Sequence, residues 1–157
     1  MKNFIALFFV MMLNGAFYIN AQTVGTILNS QSSWQGYTLM SPLSDSTTYL
    51  IDNCGQVINQ WEANSSPGAN AFLDENGYLY RAGRTSNSYI QGGGAGGAIE
   101  KFDWNNNLLW SYTLSDSVHR LHHDFELMPN GNILAITWER KDSLSSVQAG
   151  RDPSLLP

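Results

Sequence analysis

All three histidines of this 157-residue chain lie within five positions, in the stretch HRLHHDFELMPNGNIL that runs from His119 to Leu134. Imidazole exchanges protons near neutral pH, and it can also attack an electrophile and carry a group covalently. His123 and His122, adjacent and followed at once by Asp124, are therefore the first candidates for catalysis. Asp124 is a candidate to fix an imidazole tautomer or to hold a substrate group. Arg120 is a candidate to meet an oxyanion such as sulfate or a carboxylate through its planar fork, and Arg81 and Arg84 upstream are of the same type. His119, His122, His123 and Asp124 are also good metal-ligand types. A strand sends successive side chains to opposite faces, however, so His122 and Asp124 would share a metal while His123 pointed away. No second ligand cluster completes the set, and no metal or other cofactor is expected.

A second motif invites a test. In QGGGAGG, residues Gly92, Gly94 and Gly97 fit G-x-G-x-x-G, and Asp116 follows nearly 20 residues later. A dinucleotide fingerprint must follow a strand and open a helix. Here the run follows the polar loop RTSNSY and precedes AIEKF, which reads as a strand, and no Gly-Lys-Ser/Thr supplies a phosphate-binding loop. The expected role is a loop that lets backbone pass close to a neighbour.

The elements that must position these residues follow one design. TTYLIDNCGQVINQW, NAFLDENGYLYRAG, AIEKFDWNNNLLWSY and HDFELMPNGNILAITW each place a turn rich in Asp, Asn and Gly between two runs of β-branched and aromatic residues. Such turn residues tolerate positive φ, and each segment predicts a β-hairpin. No stretch beyond the first residues has helical periodicity, so the fold class is all-β. Sliding the first hairpin onto the third by 51 residues aligns Ile51 with Phe102, Asp52 with Asp103 and Trp61 with Tyr112. Sliding the second onto the fourth by 54 aligns Leu73 with Leu127, Asn76-Gly77 with Asn130-Gly131 and Leu79 with Ile133. A four-stranded unit repeating in a little over 50 residues predicts a β-propeller, with an evenly spaced β-sandwich as the alternative. The hairpins with NG turns would supply inner strands and those with D…G…W outer ones. That gives an outer half-blade at 37–61, a complete blade at 71–113 and an inner half-blade at 122–138. A ring closes with about four to eight blades, so this chain of roughly two reads as truncated on its C-terminal side.

The first residues, MKNFIALFFVMMLNGAFYINAQ, combine Lys2 with an apolar run from Phe4 to about Tyr18 and small residues before a cut after Ala21. That predicts a secretory signal peptide over 1–22, the run being shorter and more interrupted than the roughly 20 residues of a membrane span. No later stretch is apolar enough to cross, so the mature chain is expected to be exported, to the periplasm, the cell surface or the medium. Lys2 is one of the eight basic residues, which leaves seven against thirteen acidic ones in the mature chain, a formal charge of −6. Nothing in that balance favours nucleic acid or an anionic membrane. Cys54 is the single cysteine and has no internal disulfide partner.

Taken in order, YLIDNCGQVINQW, GGGAGGAIEKFDWNNNLLWSY and HRLHHDFELMPNGNILAITWERK resemble the arylsulfotransferase family, the secreted bacterial aryl-sulfate sulfotransferases, over residues 36–151. The resemblance implies a six-bladed propeller that works without a nucleotide cofactor. It implies sulfuryl transfer from a phenolic sulfate ester to a phenolic acceptor, through a histidine that carries the group between them. The HHD element matches one of the family's active-site histidine positions, His123 before His122. The attacking histidine and the active-site arginine belong to later blades, so the chain alone is expected to be inactive. The alternative expectation is a secreted, non-catalytic propeller that binds glycan or protein.

Overall fold

The computed structural model describes residue 26, residues 28–94 and residues 96–156; the expected signal peptide lies outside the described residues. Among the described residues nine strands run in the order β1 (Tyr37–Met40), β2 (Thr47–Asp52), β3 (Val57–Glu62), β4 (Pro67–Leu73), β5 (Leu79–Arg84), β6 (Gly97–Phe102), β7 (Leu108–Thr113), β8 (His119–Leu127) and β9 (Ile133–Glu139). They form three antiparallel sheets, β1-β2-β3, β4-β5-β6-β7 and β8-β9. The protein is thus all-β in its main elements. Two short helical segments follow the last strand: α1 (Ser143–Gln148), capped by the Asp142 carboxylate accepting the Ser145 N–H at 2.7 Å, and a 3-10 turn (Pro153–Leu155). Among the described residues no helix is long and apolar enough to cross a membrane.

Each hairpin forms where its turn chemistry places it. The carboxylate of Asp52 accepts the N–H groups of Cys54 and Gln56, Asp74 those of Asn76 and Tyr78, and Asp103 those of Asn105 and Asn107. In the fourth turn Asn130 accepts the N–H of Asn132. Gly55, Gly77 and Gly131 take positive φ in these turns, as does Asn106. The first sheet holds one strand more than the two expected of an outer pair: β1 pairs along β2, with Leu39 opposite Leu50.

Two apolar layers hold the sheets face to face. Leu50 and Trp61 of the first sheet pack on Leu79 and Phe102 of the second, and Ala82 and Ile99 of the second pack on Leu121 and Phe125 of the third. The Trp61 indole is fully buried, donates to the Asp103 carbonyl at 2.8 Å and meets the Trp104 ring edge-on. Arg81 is fully buried. Its guanidinium donates to the carbonyls of Ser46 and Ser65 and sits 3.2 Å from Glu100. Burial lowers the pKa of Arg81 and raises that of Glu100, and the pair's mutual attraction opposes both shifts.

Candidate functional site

The candidate residues sit where a ladder is interrupted. On β8, Leu121 pairs with Thr137 and Phe125 with Ala135, so four steps along β8 match two along β9. His122, His123 and Asp124 fill the excess. The same interruption occurs on β4, where Pro67 pairs with Gly83 and Ala71 with Arg81. Every one of these positions differs from its counterpart by the 54 residues of the sequence repeat, so Gly68, Ala69 and Asn70 occupy the corresponding slot. Ala69 accordingly takes a φ of 94°, rare for a residue with a side chain. The two slots touch: Asn70 donates its amide N–H to the Asp124 carboxylate and, at 3.4 Å, to the Phe125 carbonyl. Bulges of this kind re-aim side chains that regular pleating would send to alternate faces.

That re-aiming overturns the expectation that His122 and His123 diverge. Their rings lie 4.3 Å apart between centroids, and the two Nδ1 atoms are in hydrogen-bond contact. One Nδ1 must donate and the other accept, so the pair is compatible with one proton between these two atoms and not with two. Burial lowers the pKa of His122 first, and a positive charge on His123 lowers it further, while the Asp124 carboxylate opposes both. His122 is therefore biased towards the neutral imidazole at pH 7, able to donate through one nitrogen and accept or attack through the other. The pair also lies inside β8 rather than at its entrance, which falls at His119.

Two further elements close over the pair. Trp138 of β9 places its ring 5.2 Å from that of His122. The glycine run between β5 and β6 passes close by: a Cβ on Gly94 would stand 2.5 Å from His122 Cε1 and 2.9 Å from His123 Nδ1, and one on Gly96 would stand 2.6 Å from the His122 carbonyl oxygen. Gly94 has a φ of +70°, and a Cβ on Gly92 would reach the Trp138 indole at 3.6 Å. The run is thus a close-approach loop, and Gly94 and Gly96 are the glycines that the histidines beneath it require.

Arg120 and His119 stand apart from this pair. The Arg120 side chain is only 5% exposed; its terminal nitrogens donate to the carbonyls of Ile90, Thr85 and Gly96, binding both ends and the middle of the loop that carries the glycines. His119 Nδ1 stands 4.0 Å from Asp116, whose carboxylate accepts the N–H groups of Val118 and His119 and is held below its usual range by them. Among the described residues no three His, Cys, Asp or Glu side chains converge as a metal site. Asn70, Trp138 and Gly94 were missed as site residues in the sequence. The offset that aligns Leu73 with Leu127 also aligns Asn70 with Asp124, and that signal was available. Comparison with protein-family models, with curated proteins and with solved structures gives no match.

Proposed function

We propose that this chain forms the early blades of an exported β-propeller that works as an aryl-sulfate sulfotransferase. The observation that carries the reading is the converged His122–His123 pair, held in a bulge of β8 beside Asp124 under a glycine loop. Support for the ring comes from the three sheets, stacked face to face in chain order, and from the bulge that recurs at the repeat spacing. The four-stranded sheet is one blade, its neighbours are parts of two more, and further blades complete the ring. In the reaction a histidine nitrogen of the completed site attacks the sulfur of a phenolic sulfate ester. The S–N bond forms as the ester S–O bond breaks, and the phenolate leaves and takes up a proton. An acceptor phenol then attacks the same sulfur, gives up its proton and frees the histidine. The His123–His122 pair holds a sulfonate oxygen through the ring N–H that the Nδ1 contact leaves free, and Asp124 with Asn70 keeps the bulge in register.

The test is turnover by the polypeptide with its ring complete. With 4-nitrophenyl sulfate as donor, nitrophenol should be released beyond one equivalent only when a phenol acceptor is present. A steady rate unchanged in His123→Ala would remove the pair from the site. A second reading, a propeller that only binds glycan, is favoured by Trp110 and Tyr112. Their rings lie nearly parallel at 9°, 6.4 Å apart, along an open groove of about 540 Å³. Glycan binding that Trp110→Ala abolishes, without sulfuryl transfer, would favour it.

A further inference from the structure

The glycine loop also lines a cleft whose walls do not include the histidine pair. This cleft of about 410 Å³ is lined by Arg84, Thr85, Ser86, Asn87, Gln91, the three glycines 92–94, and Arg120. Among the described residues no acidic side chain lines it. Arg120 is a buried cation whose Nε has no hydrogen-bond partner, and among the described residues no carboxylate forms an ion pair with it or with Arg84. The two guanidinium groups repel: burial lowers the pKa of Arg120 first, and the charge on Arg84 lowers it further. A buried charge compensated only by carbonyl dipoles leaves a positive potential in the space beside it.

The backbone adds to that potential. The carbonyls of Thr85 and Ile90 are drawn inward onto Arg120, and in a planar trans peptide the N–H of the next residue points the opposite way. Those next residues are Ser86 and Gln91, both of which line the cleft. Among the described residues no hydrogen bond engages the backbone N–H of Ser86, Gln91, Gly92, Gly93 or Gly94. Successive free N–H groups on a glycine turn form a concave anion receptor, and an arginine at its rim adds a mobile fork.

We propose that this cleft is a binding site for a small oxyanion, with Arg84 and the free amides of residues 91–94 as its ligands and buried Arg120 as the fixed charge behind them. The site stands on the cleft alone and holds whether or not the histidine pair is catalytic. Because Gly94 lines the cleft and passes so close to both imidazoles that a Cβ there would meet them, an anion seated here would fix the loop over the pair.

The experiment is an NMR titration of the ¹⁵N-labelled protein with sodium sulfate, against sodium chloride at matched ionic strength. Sulfate also stabilises proteins generally by exclusion from their surfaces, so the readout is residue-specific. The amides of Ser86 and of residues 91–94 should move saturably with sulfate and not with chloride. Arg84→Gln should weaken that binding about tenfold, the loss of one charge-assisted contact, with an unchanged melting temperature. Methyl sulfate separates the sources: saturation by both probes assigns the site to the head of an ester, and saturation by inorganic sulfate alone assigns it to the free ion. Linear drift of these amides, equal movement with chloride, or the same affinity in Arg84→Gln overturns the proposal. Because the readout is binding, failure here leaves the sulfuryl-transfer reading to its own assay.

Discussion

Replacing Gly94 by alanine tests whether the glycine loop is shaped by the histidines below it. The added Cβ meets His122 Cε1 at 2.5 Å and His123 Nδ1 at 2.9 Å, well inside contact distance, and the backbone holds φ at +70°. A side chain in that left-handed region costs about 1–2 kcal/mol. Forcing an extra methyl into a packed site costs about 1–3 kcal/mol more. The imidazoles cannot simply swing aside, since each is in contact with the other and His122 also lies against Trp138. The loop can lift instead, which caps the loss at the free energy of its docking, so the expected destabilisation is about 2 kcal/mol. Gly93→Ala is the internal control, because a Cβ there meets nothing within 4 Å and no positive φ constrains it. That change should be neutral or stabilising by up to about 1 kcal/mol. Urea unfolding followed by tryptophan fluorescence separates the two, with midpoints about 1 M apart for a slope of 1–3 kcal/mol/M. Imidazole resonances should move in Gly94→Ala and stay in place in Gly93→Ala. Equal midpoints and unmoved imidazole resonances in both variants would refute the close approach.

Three further outcomes follow from the packing and the charges. Acidification should destabilise the protein below about pH 6.5: the folded-state pKa of His122 is lowered from 6.5, so the unfolded chain binds more protons there and stability falls with pH. His122→Gln should flatten that part of the urea-midpoint profile, and an unaltered slope would mean that another group governs it. Arg120→Met should cost about 3–5 kcal/mol, because the carbonyls of Thr85, Ile90 and Gly96 lose their shared donor, and the hydrogen-bonded loop amides of Thr85, Tyr89 and Ile90 should exchange with solvent faster. Trp61→Ala should cost about 3–5 kcal/mol, whereas Tyr112→Ala, its counterpart at the 51-residue offset, should cost under about 1 kcal/mol. The first ring is fully buried and the second is 48% exposed, so similar melting temperatures for the two variants would contradict the packing.

The hairpins were legible because their information is local. Asp52, Asp74, Asp103 and Asn130 each close a turn within a few residues, and the alternating runs beside them fix which side chains face a neighbouring sheet. The site was less legible because its decisive contacts are not local. Strand alternation separates His122 from His123, and the bulge that brings them together is visible only in the pairing of β8 with β9. Arg120 has the side chain of an anion binder, yet its terminal nitrogens hold carbonyls 24 to 35 residues upstream, groups that every residue type carries and no sequence distinguishes. The strand β1 falls inside the half-blade expected at 37–61, but YTLM is short and lacks a turn motif linking it to β2, so nothing local marks it as a third strand. The helix α1 was missed for a similar reason: it buries no residue and so leaves no apolar stripe to read.

The matched bulges on β4 and β8 act as an interchangeable socket. On either side of each one the ladder resumes through the same pairing pattern, although different side chains stand in the two gaps. One copy is filled by Gly68, Ala69 and Asn70, and the other by His122, His123 and Asp124. Reactive groups can therefore be gained or lost at one repeat of the architecture while the framework of that repeat is kept. The same slot thus stands as plain backbone and one amide in one repeat and gathers two imidazoles and a carboxylate in the next.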